Sequence, residues 1–170
     1  MRLGLDEIGV TELMGVTEHA RATATAAGAL GLDTDARLLV SPVDPESAEA
    51  PVGQTLEEIR EWRRASTGLA DVPLLWRILA RNPHYLEATW RKELAVMGDG
   101  ALAARDKRRT ALGVAMAVRG RYMIEYHAAI LRHAGDTDGD VLEVLGVVDH
   151  YTTLNTLSDA MQIESDIRPT

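Results

Sequence analysis

The 170-residue sequence contains no cysteine and no phenylalanine, and aromatic residues make up only 4% of it. The absence of cysteine excludes a disulfide framework, a thiolate metal site and any mechanism that depends on a thiol nucleophile. With so few aromatic side chains, the core must be built from aliphatic residues, with Trp62, Trp76 and Trp90 as the large fillers. This composition favours close helix packing over a β-sandwich, because aromatic and β-branched residues favour strands.

The formal net charge is −8, so the chain as a whole repels phosphate backbones and we expect no nucleic-acid partner. The basic cluster at 107–109 is short and follows an acidic residue, and we interpret it as a solvated helix face. No stretch approaches the roughly 20 apolar residues of a membrane span. Acidic Asp6 and Glu7 precede any apolar run, unlike a signal peptide. We therefore expect a cytoplasmic protein without a membrane partner.

Apolar side chains recur at helical spacing along most of the chain, and no segment alternates convincingly with period two. A helix is predicted over 11–30 with Thr11 as its cap, and the prolines of 38–54 predict a linker. Capping-box patterns predict helix starts at Thr55 and Thr137. Further helices are predicted over 73–79, 83–97, 103–119 and 121–133, with 137–161 as the last. The sequence therefore predicts an all-α fold, with the apolar stretch at 111–118 in a buried central helix.

The N-terminal helix resembles the C-terminal one. Aligning 12–35 with 143–166 gives seven identities in 24 positions, and one of them matches His19 with His150. We interpret this as a possible degenerate repeat. The predicted organisation is an N-terminal helical segment over 1–37, the linker over 38–54, and a helical domain over 55–170.

From about residue 68 to residue 166 the chain resembles the alkylhydroperoxidase D / carboxymuconolactone decarboxylase superfamily. The likeness is carried, in the family's order and spacing, by residues 69–83, 119–127, 141–145 and 155–160. The resemblance implies an alkylhydroperoxidase D-like helical bundle that assembles with copies of itself as a dimer, trimer or hexamer.

In that family the peroxidase site has two cysteines, a glutamate and a histidine. The resemblance places these positions at Gly120, Met123, Met116 and His127, so only the histidine is present. Glycine has no side chain and a thioether does not cycle through a disulfide. We therefore expect no thiol peroxidase activity. The decarboxylase branch of the family works without a thiol pair, and there the resemblance implies acid–base chemistry on a small lactone acid.

His127 is the leading candidate for a catalytic residue. We expect it to act as general base or acid in an apolar pocket lined by Met116, Gly120 and Met123, unless it is only a core histidine with a backbone partner. His150 or His19 is the expected second histidine, brought near across helices. Tyr122 or Tyr151 is expected to orient the substrate. No histidine spacing of a metal motif is present, so we expect neither a metal nor a cofactor.

Two functions remain open. The first is a cofactor-free enzyme of the lyase or isomerase type, which decarboxylates, isomerises or cyclises a small organic molecule. The second is a non-catalytic homo-oligomer that keeps the fold for binding or as a scaffold. An enclosed cavity at His127 would favour the enzyme, and dense packing there would favour the scaffold.

Overall fold

The computed structural model describes residues 6–33 and 38–164, and within these residues the chain forms helices and no β-strand. The prediction of an all-α fold is therefore confirmed. The seven α-helices are α1 (Glu7–Ala29), α2 (Val52–Thr67), α3 (Leu74–Leu79), α4 (Pro83–Met97), α5 (Ala104–Ala117), α6 (Arg121–His133) and α7 (Asp138–Ala160). A short 3-10 turn, Pro45–Ser47, lies in the predicted linker. No helix in the described part of the chain is both long and apolar enough to cross a membrane.

Side-chain caps decide where several helices begin. α1 starts earlier than predicted, because the Asp6 carboxylate accepts a hydrogen bond from the Gly9 backbone amide at 2.8 Å. Thr11, the predicted cap, lies inside the helix and donates its hydroxyl to a backbone carbonyl. α2 also begins before Thr55, which falls in its first turn, although no side chain caps this helix. The capping box predicted at Thr137 is confirmed.

α5 is the central helix and lies against α1, α4, α6 and α7. Its residues Ala111, Leu112 and Ala115 are fully buried, as the apolar pattern predicts, although Val118 just beyond its end is 39% exposed. The largest core side chains come from the surrounding helices, with Trp76, Trp90, Leu56, Ile59 and Leu86 among them. The small side chains of α1 let it approach α5 closely, and Val16, Ala20, Ala24 and Ala27 are buried there.

α7 differs from the other long helices because none of its residues is buried. It rests mainly on α5, and apolar side chains remain exposed along it, including Leu142, Val147, Leu154 and Leu157. Both α1 and α7 have 23 residues and contact α5, as a repeat would require. However, His19 is buried whereas His150 is exposed, and the matched pair at 35 and 166 lies outside the described residues. The repeat stays a hypothesis.

Candidate functional site

Four ionisable side chains meet in the interior, each from a different helix. They are His19 of α1, Glu93 of α4, Arg108 of α5 and His127 of α6, and none is more than 5% exposed. Burying charged groups is unfavourable unless they are paired, so their mutual contacts determine the protonation state of each.

Glu93 is the centre of this cluster. One carboxylate oxygen, Oε2, lies 2.7 Å from Nε2 of His19, and the other, Oε1, accepts a hydrogen bond from Arg108. Burial alone would raise the pKa of Glu93, but the charge of Arg108 and the hydrogen bond with His19 together lower it to about 2. Glu93 is therefore a carboxylate at every physiological pH.

The basic cluster at 107–109 is not the solvated face that the sequence predicted. Lys107 and Arg108 are buried, because each finds an acceptor inside the protein. The Lys107 ammonium donates to the Gly98 carbonyl at 2.8 Å and pairs with Glu12. The Arg108 guanidinium pairs with Glu93 and lies over the Trp62 ring, 5.2 Å from its centroid. The prediction relied on the general rule that runs of charged residues are exposed. It was wrong because Lys107 and Arg108 point into the interior.

His127 is neutral and its basic nitrogen is occupied. Nη1 of Arg108 lies 3.4 Å from Nδ1 of His127. Since a guanidinium only donates, Nδ1 must accept and the proton must reside on Nε2, which is buried and has no hydrogen-bond partner among the residues that the structure describes. Burial, followed by the nearby Arg108 charge, lowers the pKa of His127 to about 3. A base this weak, with its lone pair turned to a cation, is poorly suited to abstract a proton.

The pocket expected around His127 is filled by core packing. Gly120 is buried at the start of α6, and a Cβ added there would lie 3.0 Å from the Cβ of Ala24. Met123 is 3% exposed and belongs to the main core, while Met116 packs with Leu112 and its neighbours beyond the cluster. Gly120 and Met123, at the positions of the family's two cysteines, and Met116, at the position of its glutamate, therefore pack in the core and form no binding surface.

The remaining predicted site residues lie apart from His127. The Tyr122 hydroxyl accepts a hydrogen bond from the Leu75 amide at 3.2 Å, on the side of the bundle where α3 begins. His150 and Tyr151 are exposed on α7 and contact each other through their rings. Within one chain the structure brings His19 and His127 into the same cluster, and it does not bring His150 or Tyr151 there.

Two cavities flank the cluster, and they share no lining residue. The larger, about 440 Å³, lies among α2, α4, α5 and α6, and both Glu93 and Arg108 line it. The smaller, about 220 Å³, lies among α1, α3 and α4, and His19 lines it together with Lys92 and Tyr85. The hydrogen bond between His19 and Glu93 thus joins residues of two separate cavities. In the described part of the chain no group of three or more acidic or histidine side chains is placed to hold a metal ion.

The family assignment follows from sequence and fold together. The model of the carboxymuconolactone decarboxylase family matches residues 83–163. The crystal structure of the alkylhydroperoxidase AhpD core from Rhodospirillum rubrum is 31% identical, with 77% of this chain and 96% of that chain covered and a TM-score of 0.66. The chain belongs to the alkylhydroperoxidase D-like / carboxymuconolactone decarboxylase superfamily. No curated protein matches the sequence.

This cysteine-free superfamily member has two functional candidates that the sequence did not single out, namely Glu93 and Arg108. A signal for Glu93 was available. Leu86, Trp90 and Met97 define the apolar stripe of α4, and Glu93 occupies the same stripe at helical spacing. A lone carboxylate on a buried stripe requires a buried cation or donor. Arg108 offered no comparable signal, because it is one of three consecutive basic residues.

Proposed function

We propose that this protein carries out cofactor-free acid–base chemistry on a small organic molecule bound in the 220 Å³ cavity, with His19 as the proton-transferring residue. The observation that supports this most directly is the 2.7 Å contact between His19 and Glu93, with that carboxylate held by Arg108. The proposal retains the acid–base reaction type expected from the sequence and assigns it to His19 rather than to His127.

The roles follow from the protonation states. Because Glu93 is ionised, Nε2 of His19 donates to it, and Nδ1 is left as the nitrogen that can take a proton. Glu93 then stabilises the imidazolium that forms, as a buried carboxylate does for a histidine general base. Arg108 is a positioning residue, since it fixes the carboxylate without contacting His19.

The smaller cavity suits a compact substrate with one anionic group. Its walls are apolar, with Ala22, Ala26, Leu75 and Leu79 among them. Its polar side chains include Tyr85, which offers a hydroxyl, and Lys92, whose ammonium pairs with exposed Glu18 and keeps further N–H donors for a substrate anion. A volume of 220 Å³ equals about seven waters at liquid density, which fits a small keto acid or lactone acid. Isomerisation and cyclisation of such molecules proceed by moving protons. In decarboxylation of a β-keto acid, the electrons of the broken C–C bond pass to the carbonyl as CO₂ leaves, and the enolate carbon then takes up a proton, so no redox cofactor is needed.

Deuterium incorporation tests this proposal on a panel of candidate substrates. Small β-keto acids and lactone acids are incubated with the protein in D₂O, and exchange of the acidic C–H and loss of CO₂ are followed by NMR. We expect catalysed exchange or decarboxylation of at least one compound, with a loss of at least about 100-fold in His19→Gln. The matched control is His84→Gln, which changes an exposed histidine of α4. Equal activity of His19→Gln and the control would refute the role of His19.

We also propose a homo-oligomer, because among the described helices α7 exposes the most large apolar side chains and buries none. A helix that is apolar on several faces is normally covered on more than one side, and α7 is covered mainly by α5. This surface equally supports the second candidate function, a non-catalytic assembly, as does the dense packing around Met123.

The oligomer is tested by analytical ultracentrifugation. Leu157→Glu is expected to reduce the molecular mass of the assembly. Leu69→Glu, which changes a leucine of similar exposure (50% against 52%), is expected to leave it unchanged. A monomeric wild-type protein would contradict the oligomer.

A further inference from the structure

We propose that the 440 Å³ cavity is a second small-molecule site, distinct from the His19 cavity, and that it binds a neutral aromatic ligand carrying a primary carboxamide. The inference goes beyond the proposed acid–base chemistry, since that chemistry places its substrate only in the smaller cavity. It rests on the shape of the larger cavity and on the unusual pair of charges that lines it.

The walls of this cavity are apolar and include one large ring. Trp62, Leu94, Met97, Ile130 and Leu131 all contribute to them. Trp62 is held in place from several sides, because its ring packs edge-on against Trp90 at 5.8 Å and lies parallel to Tyr126 at 6.5 Å. A wall of this kind favours a flat, apolar ligand body such as an aromatic ring.

The charged lining residues determine what head group the ligand needs. Glu93 and Arg108 are both buried, and they neutralise each other. Each still has unused capacity, because a carboxylate offers about four acceptor sites and a guanidinium five N–H donors. Among the described residues, two of those N–H groups are committed, one to Glu93 and one to His127. A primary carboxamide can donate its N–H to Glu93 and accept at its carbonyl from Arg108.

Anionic head groups fit this lining less well. A ligand carboxylate would compete with Glu93 for Arg108 and would add an unbalanced negative charge to a buried site. The outer lining does not attract anions either. Arg105 is already paired with buried Asp136, and Asp99 adds a negative charge whose carboxylate accepts from the Ala104 amide. The charges around the cavity therefore leave no free cation for an anion, which favours a neutral ligand over an anionic one.

The experiment compares three ligands of the same size, namely benzamide, benzoate and toluene. Binding to the full-length protein is measured by ligand-observed NMR and by titration of tryptophan fluorescence. We expect the dissociation constant of benzamide to be at least about tenfold lower than that of benzoate, because only the amide satisfies both members of the buried pair. Toluene is expected to bind more weakly than benzamide. Equal or tighter binding of benzoate or toluene would overturn the proposal.

Substitutions that fill one cavity at a time locate the ligand. Ala65→Trp and Ala134→Trp each place a large side chain in the larger cavity from an exposed position, and both are expected to abolish benzamide binding. Ala88→Trp fills the smaller cavity and is expected to leave benzamide binding unchanged. Benzamide binding that persists in both large-cavity variants would refute this location. Because this assay does not depend on catalysis, its failure is distinguishable from failure of the His19 mechanism.

Discussion

Replacing His127 by glutamine should remove most of the sensitivity of this protein to mild acid. In the folded state the imidazole is buried beside Arg108, and its pKa is lowered to about 3. In the unfolded chain a histidine has a pKa of about 6.5. Below about pH 6.5 the unfolded state therefore binds a proton that the folded state does not bind until about pH 3. Stability must fall as the pH drops through that window.

The size of the effect follows from the two pKa values. The slope approaches about 1.4 kcal/mol per pH unit once the unfolded histidine is fully protonated. Between about pH 7 and about pH 5, His127 alone should cost about 2 kcal/mol of unfolding free energy. Glu93 adds little to the slope in this range. Its pKa is lowered to about 2, so its stabilising contribution is lost only as the pH falls from about 4.5 towards 2.

Urea unfolding followed by circular dichroism at a series of pH values measures this effect. Glutamine keeps a carbonyl that can accept from Arg108, so His127→Gln is expected to fold and to show a pH slope smaller than wild type by the amount above. Any constant loss of stability shifts the whole curve and leaves the slope difference intact. His84→Gln is the matched control and should follow wild type. Parallel pH profiles for wild type and His127→Gln would refute the buried, neutral state of His127.

Three further substitutions test the packing and the ion pairs. Arg108→Met should lower the unfolding free energy by roughly 3–5 kcal/mol, because it leaves the buried Glu93 carboxylate without its cation. Adding Glu93→Gln should recover part of that loss. Additive effects of the two substitutions in urea unfolding would contradict the pairing. Gly120→Ala should lower the unfolding free energy by about 1–3 kcal/mol, because the new Cβ would contact the Cβ of Ala24, and adding Ala24→Gly should relieve that contact. A melting temperature equal to wild type for Gly120→Ala alone would exclude the close approach. The Glu12 carboxylate accepts hydrogen bonds from the backbone amides of Ala101 and Leu102 at 3.0 and 2.8 Å, so Glu12→Ala should speed hydrogen exchange at both amides. Unchanged exchange would show that these hydrogen bonds do not stabilise the loop.

Much of the fold could be predicted because local signals and tertiary packing agree. The range 121–133 matches α6 as predicted, since Gly120 and the segment after His133 both interrupt the helical pattern. The start of α1 was misplaced because two residues, Asp6 and Thr11, are both good caps. Sequence alone does not show which of them the surrounding structure leaves at the helix end.

The candidate site was predictable only in part, for a physical reason. His19 and His127 stand out as individual residues, because histidines on apolar helices are rare enough to examine one by one. Their connection runs through Glu93 and Arg108, which are distant from both in sequence, and only the packing of four helices brings them together. Spacing within a helix predicts which side chains share a face. It does not predict which faces of different helices meet.

The charged cluster also has a consequence for how the protein opens. Because its four members come from α1, α4, α5 and α6, withdrawing any one of these helices would leave an unmatched charge or a stranded hydrogen-bonding group in the interior. Partial opening of this part of the bundle is thereby penalised, and the four helices are bound into a single cooperative unit. α7 contributes nothing to the cluster and is free of this constraint. The four side chains of the cluster are thus expected to mark the part of the chain that unfolds together, with α7 outside it.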